Sequence, residues 1–184
     1  MDIRPSDCLI GMCLPESKKS FYHNLRNFDR NDFTSTFPWQ IYQWQFLATY
    51  NELKKPIRKL GARIEERFTF QSFRSAIDRR EPVLILFAHW KENEIEFYDG
   101  LVAIDEIVNY IPENYNKVID LCVCHPGPFV EKVIAKCGHC TIRFRNEKSY
   151  PIFWIHFYRT LLLELNSHPS PYKDAFEKTF YSFF

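Results

Sequence analysis

Two residues of this 184-residue chain have both the type and the position to do nucleophilic chemistry. His89 directly follows the apolar run 83–88 (VLILFA), and Cys124 closes a second run, 118–123 (VIDLCV). Unbroken apolar runs of this length read as strands covered on both faces. In an open parallel sheet, ligands gather outside the carboxyl ends of the strands. Neighbouring strands stand about 4.8 Å apart. An imidazole and a thiol at the tops of neighbouring strands can therefore face each other over a substrate. The sulfur attacks a carbonyl carbon while the imidazole takes or supplies the proton. Backbone N–H groups near Gly127, where a helix begins, are placed to hold the oxyanion.

The residues around this pair admit other readings. Cys122 is a rival nucleophile, but strand period puts it on the face of Cys124 and deeper, as packing or pocket wall. Asp120 lies deeper still. A buried carboxylate needs a partner, so it serves an ion pair or reaches a pocket for basic side chains. Glu92, Glu94, Glu96 and Asp99 form an acidic stretch after His89. It is a solvated loop or the lining of a pocket for a Lys or Arg side chain, with Glu94 and Glu96 as substrate-binding candidates. His125, beside the thiol, is an alternative base. His23, His139, His156 and His168 read as surface or packing residues. Cys122-x-Cys124 and Cys137-x-x-Cys140 superficially resemble paired zinc knuckles. A helix over about 128–137 would run about 15 Å back down the sheet. That carries Cys137 far beyond a zinc–sulfur bond of about 2.3 Å. No metal and no organic cofactor is expected.

The elements that must hold these residues follow from periodicity. Residues 8–14 (CLIGMCL) read as a buried strand ended by Pro15, and residues 17–25 as a helix. Residues 27–37 are polar and turn-rich, a loop. Residues 39–50 carry aromatics at helical spacing. Leu53, Ile57, Leu60 and Ile64 form one helical stripe, with Pro56 tolerable only near its start. Residues 67–70 read as a short strand, and Thr69 and Ser72 cap a helix through Ile77. Beyond the first candidate strand, Ile104, Ile107, Val108 and Ile111 mark a short helix. Phe129, Val130, Val133, Ile134 and Cys137 mark another, stopped by Gly138. Residues 140–144 are a strand, 152–165 a helix apolar nearly all round, and 172–181 a last amphipathic helix. This alternation predicts an α/β fold, a three-layer αβα sandwich with a mostly parallel sheet.

Composition narrows the function classes. Lys and Arg number 24 against 23 Asp and Glu, so there is no basic excess of the kind nucleic acid binding shows. With Gly at only 5 and no glycine-rich phosphate loop, nucleotide cradles are excluded. No stretch reaches the roughly 18 apolar residues of a membrane span, and the first residues lack a signal-peptide pattern. A cytoplasmic protein is expected, its six cysteines serving as thiols, ligands or nucleophile rather than as structural disulfides. The aromatic clusters at 37–44 and at Phe153-Trp154 read as core, or as a partner surface if exposed.

VLILFAHW, the strand-and-helix segment 101–111 and VIDLCVCHPG together resemble the caspase-like CHAT cysteine peptidases of clan CD. In that family an apolar strand ends in His and a later one in Cys. A further strand and an aromatic-rich helix follow, as in TIRFR and IFWIHFYRTLL, then a last helix, as in SPYKDAFEKTF. Cys124-His125-Pro126-Gly127 is also similar to the Cys-His-Ser-Gly of metacaspases, with Cys122 where a specificity aspartate would stand. The resemblance covers residues 68–184, and residues 1–67 match poorly. It implies a single domain of the caspase-like, haemoglobinase type. The implied activity is that of a cysteine endopeptidase with a His89–Cys124 dyad, acting on a protein substrate and controlled by a regulatory protein partner. The family's His is followed by Gly, where this chain has Trp90. That difference supports a second reading, a catalytically inactive caspase-like interaction module.

Overall fold

A computed structural model describes residues 1–25, 39–123, 126–144 and 151–183. The loop expected at 27–37 lies outside the described residues. The first apolar run forms strand β1, Cys8–Met12, buried throughout, and helix α1 covers Lys18–Leu25. The aromatic stretch builds α2, Trp39–Tyr42, a π-helical turn, Gln43–Leu47, and α3, Ala48–Lys59. The helical stripe expected to continue to Ile64 stops short, and Pro56 stands near the end of α3 rather than near a start. Gly61, at φ +99°, turns the chain there, a conformation glycine adopts without steric cost. Ile64 instead belongs to strand β2, Arg63–Glu66, so the strand expected at 67–70 lies earlier in the chain. Arg67, at φ 56°, ends it.

Thr69 caps α4, Phe70–Asp78, its Oγ1 accepting the Ser72 N–H at 3.0 Å. The run VLILFA forms β3, Val83–Phe87. The acidic segment after it is not the open loop expected. It folds into three antiparallel strands, β4 (His89–Lys91), β5 (Glu94–Phe97) and β6 (Gly100–Ala103). The cause is legible in Glu-Ile-Glu-Phe, whose alternation gives the strand one apolar face. Then come α5 (Ile104–Tyr110), β7 (Val118–Cys122), α6 (Gly127–Lys136), β8 (Thr141–Phe144), α7 (Pro151–Ser167) and α8 (Tyr172–Phe183).

The main sheet has five strands in the order β2-β1-β3-β7-β8, all parallel. Successive strand residues point to opposite faces, and the core divides accordingly. Cys8, Ile10, Val83, Ile85 and Phe87 pack with residues of α1, α2, α3, α7 and α8. Leu9, Leu84, Leu86, Ile119 and Leu121 pack on the other face with α4, α5, α6 and β5. The fold is thus α/β, a parallel sheet between two helical layers. Residues 1–67 supply β1 and β2 of this same sheet. Among the described residues no helix is long and apolar enough to cross a membrane.

One packing contact fixes a residue type. A Cβ built on Gly11 in β1 would lie 2.8 Å from the ring of Phe68, which is fully buried. Gly11→Ala is expected to destabilise the chain by roughly 1–3 kcal/mol, the usual range for overpacking. Urea denaturation monitored by circular dichroism measures it, and a change below about 0.5 kcal/mol would show that Phe68 simply steps aside.

Candidate functional site

The order of the main sheet reverses direction between β1 and β3, which makes the carboxyl ends of those strands the switch point where ligands collect in such sheets. His89 stands there. The strand before it, β3, is register-paired with β7, Phe87 opposite Cys122, and the Ala88 N–H donates to the Cys122 carbonyl at 3.4 Å. The ends of β3 and β7 are therefore adjacent and level. Cys124 and His125 lie outside the described residues. The helix expected to supply oxyanion donors, α6, begins at Gly127.

Cys13 was not singled out by its sequence position, yet it flanks His89 across the switch point. It follows the last residue of β1, is buried, and its N–H donates to the Phe87 carbonyl at 2.9 Å. Burial, with Glu96 and Asp99 nearby, holds its thiol well above the ordinary range. The signal was available: Cys13 stands one residue before the end of an apolar run.

The three-stranded sheet after β3 sorts its side chains by face. Trp90, Ile95, Phe97 and Val102 pack on the apolar cluster below. Alternation sends His89, Lys91, Glu94 and Glu96 to the other face, and His89 is the register partner of Glu96. Directly opposed residues of an antiparallel pair have Cβ atoms about 4.5–5.5 Å apart. Trp90, in the position where the resembling family has glycine, thus packs into the core on the face away from His89. Glu94 is partly buried at the start of β5, and Glu96 is only 3% exposed. Glu92 and Asp99 sit in the exposed turns on either side, and the Asp99 carboxylate accepts the Phe70 N–H at 3.0 Å.

Burial sets the protonation of this face. It pulls the His89 imidazole down to about 4 and pushes the Glu96 carboxyl up to about 8, against the favourable charge of Lys91. At neutral pH the imidazole is neutral, the state a general base requires, and Glu96 is mostly protonated. Because the folded pKa of Glu96 lies above its unfolded value, its contribution to stability is complete below about pH 4 and is lost as pH rises through about 8. Glu96→Gln is expected to flatten the fall in thermal midpoint between pH 5 and pH 9. Scanning calorimetry of the two proteins across that range checks this, and parallel curves would refute it.

Asp120 and Cys122 are the other two candidates for substrate contact. Asp120 is 1% exposed, with Oδ1 accepting the Tyr158 hydroxyl at 2.8 Å and Oδ2 the Tyr172 hydroxyl at 2.6 Å. Its partners are tyrosines of α7 and α8, so it anchors helices rather than lining an open pocket. Burial pushes its carboxyl up to about 7, opposed by the two tyrosines and Arg143. Cys122, half-buried at the end of β7, packs against the α7 side of the sheet. A shallow depression too tight for a bound water lies near the ends of β1 and β2, bordered by Leu14, Glu16, Phe46, Tyr50 and Arg67. It does not include His89.

Cys122 and the Cys137-x-x-Cys140 pair stand at opposite ends of the sheet. Cys140 directly precedes β8, whose Thr141 pairs with Val118 at the start of β7, whereas Cys122 is at the end of β7. Among the described residues no group of three or more His, Cys, Asp and Glu side chains is placed to hold a metal ion. Comparison of the chain with protein-family models and with curated proteins finds no match.

Proposed function

We propose that the chain is a cysteine endopeptidase of caspase-like fold, in which Cys124 is the nucleophile and His89 the general base, acting on a protein substrate under the control of a partner protein. One observation carries the reading. Phe87 and Cys122 are register partners on adjacent parallel strands, and the sequence places His89 and Cys124 each two residues further on. The position of His89 beside the switch point and its neutral state at pH 7 add support. In this mechanism His89 takes the thiol proton as Cys124 Sγ attacks the scissile carbonyl. The tetrahedral oxyanion is held by backbone N–H groups at the start of α6. The C–N bond breaks, the amine leaves with the proton from the imidazole, and water hydrolyses the thioester.

The test is capture of the native full chain by peptidyl acyloxymethyl ketones carrying different side chains next to the reactive carbon, followed by peptide mapping. The expected result is an adduct on Cys124 whose rate depends on the peptide. No adduct on Cys124, or capture no faster than in the unfolded chain, would leave the inactive interaction module as the better account.

A further inference from the structure

We infer that Cys137 and Cys140 form a reversible disulfide site, a dithiol that a small soluble disulfide such as oxidised glutathione converts to an intramolecular bond. The inference is independent of the peptidase reading, which uses neither residue. Cys137 directly follows α6 and Cys140 directly precedes β8. The Cys140 N–H donates to the Cys137 carbonyl at 3.1 Å and closes a turn over Gly138 and His139. A hydrogen-bonded turn of four residues holds its outer Cα atoms within about 7 Å. Disulfides span Cα separations of about 4.4–6.8 Å. Both cysteines pack on the same apolar cluster, and both thiols stand close enough to the Tyr115 hydroxyl to oppose its ionisation. Cys137 is buried, its Sγ donating to the Pro112 carbonyl at 2.9 Å, while Cys140 is partly exposed and meets the oxidant first.

The place of the motif on its helix decides the kind of chemistry. A Cys-x-x-Cys at a helix N-terminus gains acidity from the helix dipole and exchanges quickly. Here the pair follows a helix C-terminus, where the dipole opposes a thiolate. Burial, with Cys137 alongside, pushes the Cys140 thiol up to about 11. A weakly acidic thiol is a poor leaving group, so the bond once made resists reduction. The site is a slow, persistent modification rather than a turnover centre.

The reaction balances without a further reagent. The Cys140 thiolate attacks one sulfur of oxidised glutathione, the glutathione S–S bond breaks, and one glutathione leaves and takes up the proton. Cys137 gives up its hydrogen bond to Pro112, loses its proton and attacks the Cys140 sulfur of the mixed disulfide. The second glutathione leaves. Two protein thiols are oxidised and one glutathione disulfide is reduced to two thiols, a two-electron exchange.

Trypsin, cutting after Lys136 and Arg143, releases both cysteines in one peptide, residues 137–143, free of the other four. The native full chain is equilibrated in glutathione buffers of increasing oxidised fraction, quenched in acid, alkylated unfolded, digested and weighed. The expected product is this peptide, unalkylated and two hydrogens lighter than its reduced form. Cys140→Ser is expected to abolish the product entirely. The proposal is overturned if the peptide stays fully reduced, if Cys140 stops at a mixed disulfide with glutathione, or if the bond forms only in denaturant.

Discussion

Replacing His89 with alanine is expected to slow capture of Cys124 by a peptidyl electrophile by roughly 10²–10⁴-fold, the range that a positioned general base supplies. The residue follows β3 by two positions and opens β4, and the end of β3 is level with the end of β7, two residues before Cys124 in the sequence. The pH profile separates this role from a merely structural one. Burial holds His89 at about 4, so the wild-type capture rate is expected to lose its base only below about pH 5. An ordinary histidine would titrate near 6.5. The alanine variant should lose that acid limb while its circular dichroism stays unchanged. A drop of less than tenfold, or an acid limb centred near 6.5, would remove His89 from the base role. If His89→Ala fails to fold, His89→Gln, which keeps polar bulk, carries the same test.

The largest effect on stability is expected at Asp120. Asp120→Ala leaves the Tyr158 and Tyr172 hydroxyls without their acceptor in the core. A buried polar group stripped of its partner costs about 1–3 kcal/mol, so the variant should lose roughly 2–5 kcal/mol. At about 2–4 °C per kcal/mol for a chain of this size, the thermal midpoint should fall by roughly 4–20 °C. Removing the hydroxyls as well, in the variant D120A with Tyr158→Phe and Tyr172→Phe, should recover part of the loss, because both sides of each bond are then absent. A triple variant no more stable than Asp120→Ala would show that the cost is cavity and not hydrogen bonding. The carboxyl also links stability to pH. Its folded pKa, about 7, is raised above the unfolded value, so the contribution is complete below about pH 4 and is lost as pH rises through about 7. Asp120→Asn should abolish that part of the slope, and denaturant titrations at pH 5 and pH 8 measure it.

Much of the framework was legible because its signals are local. Apolar runs bounded by turn residues gave β1, β3 and β7, and Thr69 with Ser72 gave the start of α4. A run buried on both faces needs helices on both faces, so the α/β layering followed from hydrophobicity alone. The errors lay where one period imitated another. Ile64 continues a helical spacing by coincidence, and only the turn at Gly61 removes it from the helix. The charges at Glu92, Glu94 and Glu96 suggested a solvated loop, but Ile95 and Phe97 between and beside them fasten that segment to the core as a strand.

By itself the sequence determined where the apolar runs stop, since a run's end is a change of local polarity. It therefore singled out His89 and Cys124 as candidates before any distance was known. The tertiary structure alone decided which ends are neighbours. It put β3 between β1 and β7, brought Cys13 to the His89 edge, opposed Glu96 to His89 and turned Asp120 inward to two tyrosines. Those relations join residues as far as 74 positions apart, from Cys13 to Phe87. Local spacing does not encode them, because they depend on strand order and on the competition of every helix for the same two faces of one sheet.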